Sequence, residues 1–75
     1  LGYASNLIVP TEYLVSKAII EKRLDKQMSQ RVLAKKAKTT QAVISRIESM
    51  SASPSIGLLQ RLASAFNSRL KIAFE

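Results

Sequence analysis

The sequence predicts a compact all-α fold of four helices, followed by one β-strand at the C-terminus. Along most of the chain, apolar residues recur at spacings of three and four, which is the period of a helix with one buried face. A serine or threonine stands before each of these segments, where a helix needs an N-cap. From Arg69 onward the pattern alternates instead, with Leu70, Ile72 and Phe74 on one face, which indicates a strand.

The first helix is predicted to begin at Thr11 and to run to about Lys26. Thr11 is a suitable N-cap, and Glu12 places a negative charge near the positive end of the helix dipole. Residues 1–10 contain glycine and proline and are interpreted as an N-terminal arm. The buried face of this helix is expected to consist of Val15, Ala18 and Ile19.

Two short helices joined by a tight turn are predicted next. Ser29 caps a helix over residues 30–36. The pattern breaks at residues 37–39, and Thr40 then caps a helix over residues 41–49. The expected core residues of the two helices are Val32, Leu33, Ala34, Val43, Ile44 and Ile47.

The fourth helix follows a serine-rich loop at residues 49–54. Ser55 is its N-cap, and Asn67 can end it because asparagine tolerates the left-handed backbone conformation. Since no linker divides the chain, residues 11–67 are predicted to form one helical domain. The stripe expected to face the core is Leu59, Leu62, Ala63 and Phe66.

The charge of the chain favours a polyanionic partner. Twelve Lys and Arg residues against five Asp and Glu residues give a net charge of +7 and a pI near 10.3. Such an excess favours nucleic acid or an anionic membrane surface, and a contribution to solubility alone is the simpler alternative. Aromatic residues make up only 5% of the chain, which argues against base-stacking platforms for single strands or RNA.

The absence of two residue types excludes several chemistries. The chain has no cysteine and no histidine, which excludes disulfides, thiolate or histidine metal sites and histidine-based triads. We therefore expect no metal and no cofactor, and the few scattered carboxylates do not indicate an enzyme. No apolar run approaches the roughly 20 residues of a membrane span, and the lack of cysteine fits the reducing cytoplasm.

Residues 29–48 have the arrangement of a helix-turn-helix, whose second helix enters the major groove of DNA. The side of this second helix that faces away from its apolar residues is polar or small. The candidate base-contacting residues on that side are Thr40, Gln41, Ala42, Ser45 and Arg46. Glutamine can bind adenine, and arginine guanine, through two hydrogen bonds each. The alternative is an ordinary amphipathic helix with a solvated face.

A set of short motifs in a fixed order extends this interpretation. They are Ser29-Gln30, Leu33-Ala34, Thr40-Gln41, Ile44-Ser45-Arg46-Ile47-Glu48, Pro54-Ser55 and Leu62-Ala63. Together they resemble the Xre family, the Cro and phage-repressor type of helix-turn-helix, from about Ile19 to Asn67. The resemblance implies a lambda-repressor-like domain that binds double-stranded DNA, commonly as a homodimer on a two-fold operator.

The resemblance also implies roles for individual residues. Gln30 resembles a glutamine that contacts a phosphate and braces a second glutamine. Gln41 resembles that second glutamine, the one that reads adenine. Arg23 and Glu48 resemble an ion pair that ties the first helix to the end of the recognition helix, and two unrelated surface charges are the alternative.

Three departures from the family concern the loops. The family usually has glycine where this chain has Gln27, Lys38 and Met50. A positive φ at such a position costs a non-glycine residue about 1 kcal/mol, which Lys38 is expected to offset by contacting a phosphate. Ser53 and Ser55 lie near a helix start, where backbone N–H groups favour phosphate, although capping and loop solubility explain them equally well.

The predicted C-terminal strand, residues 68–75, needs a partner because a lone strand leaves its N–H and C=O groups unpaired. Two partners are open: Leu7–Val9 of the same chain, or the same strand of a second subunit across a two-fold axis. We favour the antiparallel ribbon between two subunits, with Leu70, Ile72 and Phe74 in the dimer interface.

The strand that directly follows the fourth helix, together with Tyr13-Leu14, resembles HigA-type and HipB-type antitoxins. The resemblance implies a cytoplasmic repressor that binds a toxin protein and represses its own operon. A regulator without a toxin, or a protein-interaction module on the same scaffold, are the alternatives. Membrane-surface binding would need a large apolar face flanked by Trp or Phe, and the chain has no Trp, so no membrane partner is expected.

Overall fold

Four helices joined by short loops make up residues 9–74, the part of the chain that the computed structural model describes. They are α1 Thr11–Asp25, α2 Gln30–Lys36, α3 Gln41–Glu48 and α4 Ile56–Ala65. α2 packs against both α3 and α4, and α1 packs against α3. Within residues 9–74, no helix has the length and apolar character needed to cross a membrane. Residues 1–8 of the predicted arm lie outside the described residues, as does Glu75.

Three of the four predicted N-caps are observed. Ser29, Thr40 and Ser55 each accept a hydrogen bond from the backbone N–H three residues further on, at 3.0, 3.2 and 3.1 Å. The exception is Thr11, which is already helical. Pro10 is the N-cap of α1, and its carbonyl accepts from the N–H of Tyr13 at 3.0 Å. Proline suits this position because the N–H that it lacks has no partner at a helix start.

All four helices end in the same way, with a residue of positive φ. The φ angles are 56° at Gln27, 58° at Lys38, 64° at Met50 and 55° at Asn67. In each case the next N–H bonds back to a carbonyl of the last turn, as the N–H of Thr39 does to Ala34 at 2.9 Å. This hydrogen bonding satisfies carbonyls that the helix leaves free, and it offsets a backbone cost of about 1–2 kcal/mol at a residue other than glycine.

The core lies between the four helices and is almost entirely aliphatic. Its buried members are Ile19, Leu33, Ala34, Ala37, Ile44, Ile47, Leu58, Leu62 and Phe66. Leu33, Ala37 and Ile44 have no exposed surface at all, so the two short helices of the motif and the turn between them contribute the centre of the core.

Several predicted core positions differ from the observed ones. Val32 is 43% exposed, because α2 buries its Leu33 and Ala34 instead. In α4 the buried stripe contains Leu58 rather than Leu59, which is only partly buried. In α1, Ala18 is exposed and a serine, Ser16, is buried beside α3. The sequence pattern identifies an apolar face to within about one residue, and the neighbouring helix selects the face that is buried.

The predicted C-terminal strand is wrong for the single chain. The tail, which we define as residues 68–74, contains neither helix nor strand, and no strand occurs elsewhere in residues 9–74. Leu70 is half-buried, but Ile72 is 59% and Phe74 is 99% exposed. A strand requires a second strand to pair with, and none is present among the described residues. Of the proposed partner Leu7–Val9, only Val9 is described, and it is not in a strand.

Candidate nucleic-acid interface

α3 has one fully polar or small face and one buried face. The polar face begins at Thr40, the N-cap of the helix. All five candidate base-contacting residues are exposed on it: Thr40, Gln41, Ala42, Ser45 and Arg46. On the opposite side, Ile44 is 0% and Ile47 is 2% exposed. The apolar face of α3 therefore packs in the core, and the opposite face can donate and accept hydrogen bonds at the edges of bases.

The C-terminal end of α3 is held by a bidentate ion pair. The Arg23 Nε donates to Glu48 Oε2 at 2.8 Å, and its Nη2 donates to Oε1 at 3.0 Å. The two side chains are only 14% and 7% exposed. Arg23 also donates through Nη1 to the carbonyl of Met28 at 3.0 Å, which connects the pair to the loop before α2. The contact thus joins α1, this loop and the end of α3.

Gln30 takes part in the same contact. Its Nε2 donates to Glu48 Oε1 at 2.9 Å. The family resemblance implied a contact between Gln30 and Gln41 instead, but no hydrogen bond joins these two residues within residues 9–74. An ionised carboxylate is a stronger acceptor than a neutral amide oxygen, which explains the preference. The amide group has a second N–H, so Gln30 can hold Glu48 and still donate to a phosphate.

Ser16 is a buried polar residue that the sequence analysis missed. Its hydroxyl donates to the backbone carbonyl of Glu48, and the residue is only 5% exposed. Glu48 is the last residue of α3, so its carbonyl has no partner within the helix. The only sequence signal is that Ser16 lies one turn before Ile19 on the buried side of α1. We call Ser16, Arg23, Gln30 and Glu48 the Glu48 cluster.

The remaining candidate phosphate-contacting residues are exposed. Lys38 lies in the turn between α2 and α3, and Ser53 lies in the loop before α4. The Ser55 Oγ is used to cap α4 by accepting from Leu58 N, so the capping role of Ser55 is observed. A hydroxyl that accepts a backbone hydrogen bond retains its own hydrogen for donation, which leaves Ser55 able to reach a phosphate as well.

Arg61 is a second residue that no sequence pattern marked. Its Nε donates to the carbonyl of Ala37 at 2.9 Å, across 24 positions of the chain. Ala37 is the C-cap of α2 and is completely buried, so its carbonyl would otherwise lack a partner in the core. Arg61 therefore ties α4 to the turn of the motif.

The positive charge is unevenly distributed along the chain. α1 carries three acidic and three basic residues. The segment from residue 26 to 74 carries nine Lys and Arg residues and a single acid, Glu48, whose charge is paired with Arg23. The excess charge thus belongs to the motif, α4 and the tail, which is the distribution expected for a surface that meets a polyanion.

Comparison with known proteins agrees with this geometry. A family model described as helix-turn-helix matches residues 19–72, which include α2, α3 and α4 entirely and more than two thirds of the chain. No curated protein and no solved structure matches the chain.

Proposed function

The chain belongs to the Xre-type helix-turn-helix family of DNA-binding transcription regulators, and from this premise we propose that it is a sequence-specific repressor. It binds double-stranded DNA as a homodimer on a two-fold operator and acts without catalysis or cofactor. The proposed location is the cytoplasm, because a repressor of this type acts on the chromosome there.

The observation that carries the proposal is the exposed face of α3 on a buried back. We assign base contacts to Thr40, Gln41, Ala42, Ser45 and Arg46. Phosphate contacts are assigned to Gln30, Lys38, Ser53 and Ser55. In this arrangement Glu48 sets the angle of α3, because the Glu48 cluster joins its C-terminal end to α1 and α2. Base readout depends on such fixed orientation, since a hydrogen bond to a base edge tolerates little displacement.

Gel-shift titration on the DNA upstream of the gene tests the proposal. We expect preferential binding over random DNA of the same length. The logarithm of the binding constant should fall with the logarithm of salt concentration by about 0.9 for each phosphate neutralised. Equal affinity for upstream and random DNA at every salt concentration would contradict sequence-specific binding and would leave only a basic scaffold.

The first prediction concerns Gln41, which starts the recognition helix. Gln41→Ala should weaken binding to the preferred site by about 1–3 kcal/mol and relax the preference at one base pair, because a bidentate contact is lost. Binding to a panel of single-base operator variants measures it. Lys22→Gln, an exposed change on α1, is the control and should leave the base preference intact. An unchanged preference in a folded Gln41→Ala protein would remove Gln41 from the proposed readout.

We place the dimer contact in the tail. Ile72 and Phe74 are among the most exposed large apolar side chains of residues 9–74, and a second copy would remove them from water. A two-fold pair of tails would hold two recognition helices about 34 Å apart, the spacing of successive major grooves on one side of B-DNA. Leu70 is half-buried and contacts its own chain as well.

The second prediction tests this contact with a pair of matched variants. Phe74→Asp should raise the dimer dissociation constant at least about tenfold, because each copy loses about 1.5–3 kcal/mol of apolar burial. Ala73→Asp adds the same charge at the neighbouring position and should change dimerisation much less. Analytical ultracentrifugation measures both. Because Phe74 is 99% exposed in the single chain, its replacement should not lower the thermal midpoint of the monomer. Equal effects of the two variants would exclude Phe74 from the interface.

The antitoxin role is the finer form of the proposal. It is supported by the resemblance of the tail and of Tyr13-Leu14 to HigA-type and HipB-type chains. Expression of the adjacent gene with and without this chain tests it. Growth arrest that this chain relieves is the expected result, together with repression of the shared promoter. Without growth arrest, the chain remains a regulator that has no toxin partner.

A further inference from the structure

A basic groove runs between the turn of the motif and α4. The residues that line it are Lys36, Lys38, Gly57, Gln60, Arg61 and Ser64. We propose that this groove binds a backbone phosphate of the DNA beside the base pairs that α3 reads. The inference rests on the proposed function and adds a phosphate site that includes α4 to the contacts already assigned.

The lining of the groove is suited to an anion. Three of its six residues are cations, Lys36, Lys38 and Arg61, and none is an acid. The other side chains, Gln60 and Ser64, carry polar hydrogen atoms. Cations gathered without a counter-charge repel one another, so a bound phosphate would relieve that repulsion as well as gain their attraction.

The Arg61 guanidinium is already oriented by the fold. Its Nε is committed to the carbonyl of Ala37 at 2.9 Å, and this bond holds the side chain against the turn. The remaining four N–H groups of the guanidinium make no hydrogen bond within residues 9–74. Because the side chain is held in advance, little conformational entropy is lost when those groups bind a phosphate.

The position of the groove favours DNA over an acidic protein. Lys38, which lines the groove, lies two residues before Thr40, the N-cap of the recognition helix, so one side of the groove lies close to the end of α3 that carries Thr40 and Gln41. When the bases of a DNA strand contact that end of α3, the phosphates of the same DNA strand lie beside the groove. An acidic partner protein would find the same charges, and its binding is therefore an outcome that the experiment must separate.

Gly57 provides the sharpest test because a side chain fits there. A Cβ at this position would meet only the Ser55 Oγ, at 3.9 Å, and Gly57 has no positive φ that would require glycine. Gly57→Glu therefore brings a carboxylate to the groove four residues before Arg61, where it can pair with the guanidinium in place of a phosphate. Near the start of α4 a glutamate also suits the helix dipole, so the fold should not be weakened. Gly57→Gln adds the same bulk without the charge.

We expect Gly57→Glu to bind the operator at least about tenfold more weakly than Gly57→Gln at equal salt, with both proteins melting at similar temperatures. Lys36→Gln should lower the salt slope by about 0.9, the value for one phosphate contact, on operator and random DNA alike. Lys22→Gln on α1 is the control and should change the slope little. A set of operators, each with one phosphate replaced by a neutral methylphosphonate, locates the contact. At one position the replacement should weaken binding of the unmodified protein but have little effect on binding of Lys36→Gln.

The outcomes distinguish this inference from the proposed function. If the unmodified protein prefers its operator but Lys36→Gln and Lys22→Gln have the same slope, the groove does not bind DNA and the repressor proposal still holds. If Gly57→Glu binds as well as Gly57→Gln, the inference is also overturned. DNA binding unchanged in both Gly57→Glu and Lys36→Gln would exclude DNA from the groove and leave an acidic protein as its partner. A protein without operator preference refutes the proposed function itself.

Discussion

Glu48→Ala is expected to lower the free energy of unfolding by about 3–5 kcal/mol, because it leaves the guanidinium of Arg23 without its counter-charge. The Arg23 side chain is only 14% exposed and loses two hydrogen bonds at once. Gln30 loses its acceptor in the same step. A domain of this size has a total stability of about 4–11 kcal/mol, so the variant should be largely unfolded at moderate denaturant concentrations.

Urea unfolding followed by circular dichroism measures this effect, and an exposed ion pair supplies the control. Lys17 and Glu21 are paired at 3.0 Å on the surface of α1, with side chains 51% and 65% exposed. Glu21→Ala should therefore cost no more than about 0.5 kcal/mol. The double variant Arg23→Met/Glu48→Met should recover most of the loss, since no buried charge remains. A loss as small as that of Glu21→Ala would show that the Glu48 cluster does not hold the fold.

Leu33→Ala is expected to cost about 2–5 kcal/mol, because the side chain is completely buried and its removal leaves a cavity at the centre of the core. Its neighbour Val32 is the matched control. Both residues are apolar, both lie in α2 and the sequence pattern assigned both to the core, but Val32 is 43% exposed. Val32→Ala should change the stability by about 0.5 kcal/mol or less, as surface substitutions usually do.

Thermal melts of the two variants decide the assignment. Leu33→Ala should lower the melting temperature by more than about 8 °C, since about 1 kcal/mol shifts a domain of this size by 4–8 °C. Similar midpoints for Leu33→Ala and Val32→Ala would mean that α2 packs with a different face. In that case the rotation of α3 against α2, and with it the exposed face of the recognition helix, would also need revision.

The candidate site was partly accessible from the sequence. The exposed face of α3 follows from the helical period once Ile44 and Ile47 are assigned to the core, so Gln41 and Arg46 could be placed on the surface. The Arg23–Glu48 ion pair was expected from the family resemblance, but Ser16 and Arg61 could not be identified. Ser16 meets Glu48 across 32 positions and Arg61 meets Ala37 across 24, and no local pattern marks such partners.

The sequence by itself determined the local structure of this protein. The caps at Ser29, Thr40 and Ser55 and the left-handed helix ends at Lys38 and similar positions depend on hydrogen bonds that span only a few residues. These interactions are available to the chain before it packs, so residue type and spacing are enough to predict the three caps and the helix end at Asn67. The left-handed ends at Gln27, Lys38 and Met50 were expected only from the resemblance to a family that has glycine at these positions.

Tertiary structure decided everything that depends on a distant neighbour. It buried Ser16 and exposed Ala18, although polarity alone favours the reverse, because the hydroxyl of Ser16 meets the free carbonyl of Glu48. It also left the alternating tail without a strand, because no edge of the described chain is available to pair with it. A strand is stabilised by hydrogen bonds to another strand, so alternation alone cannot form one.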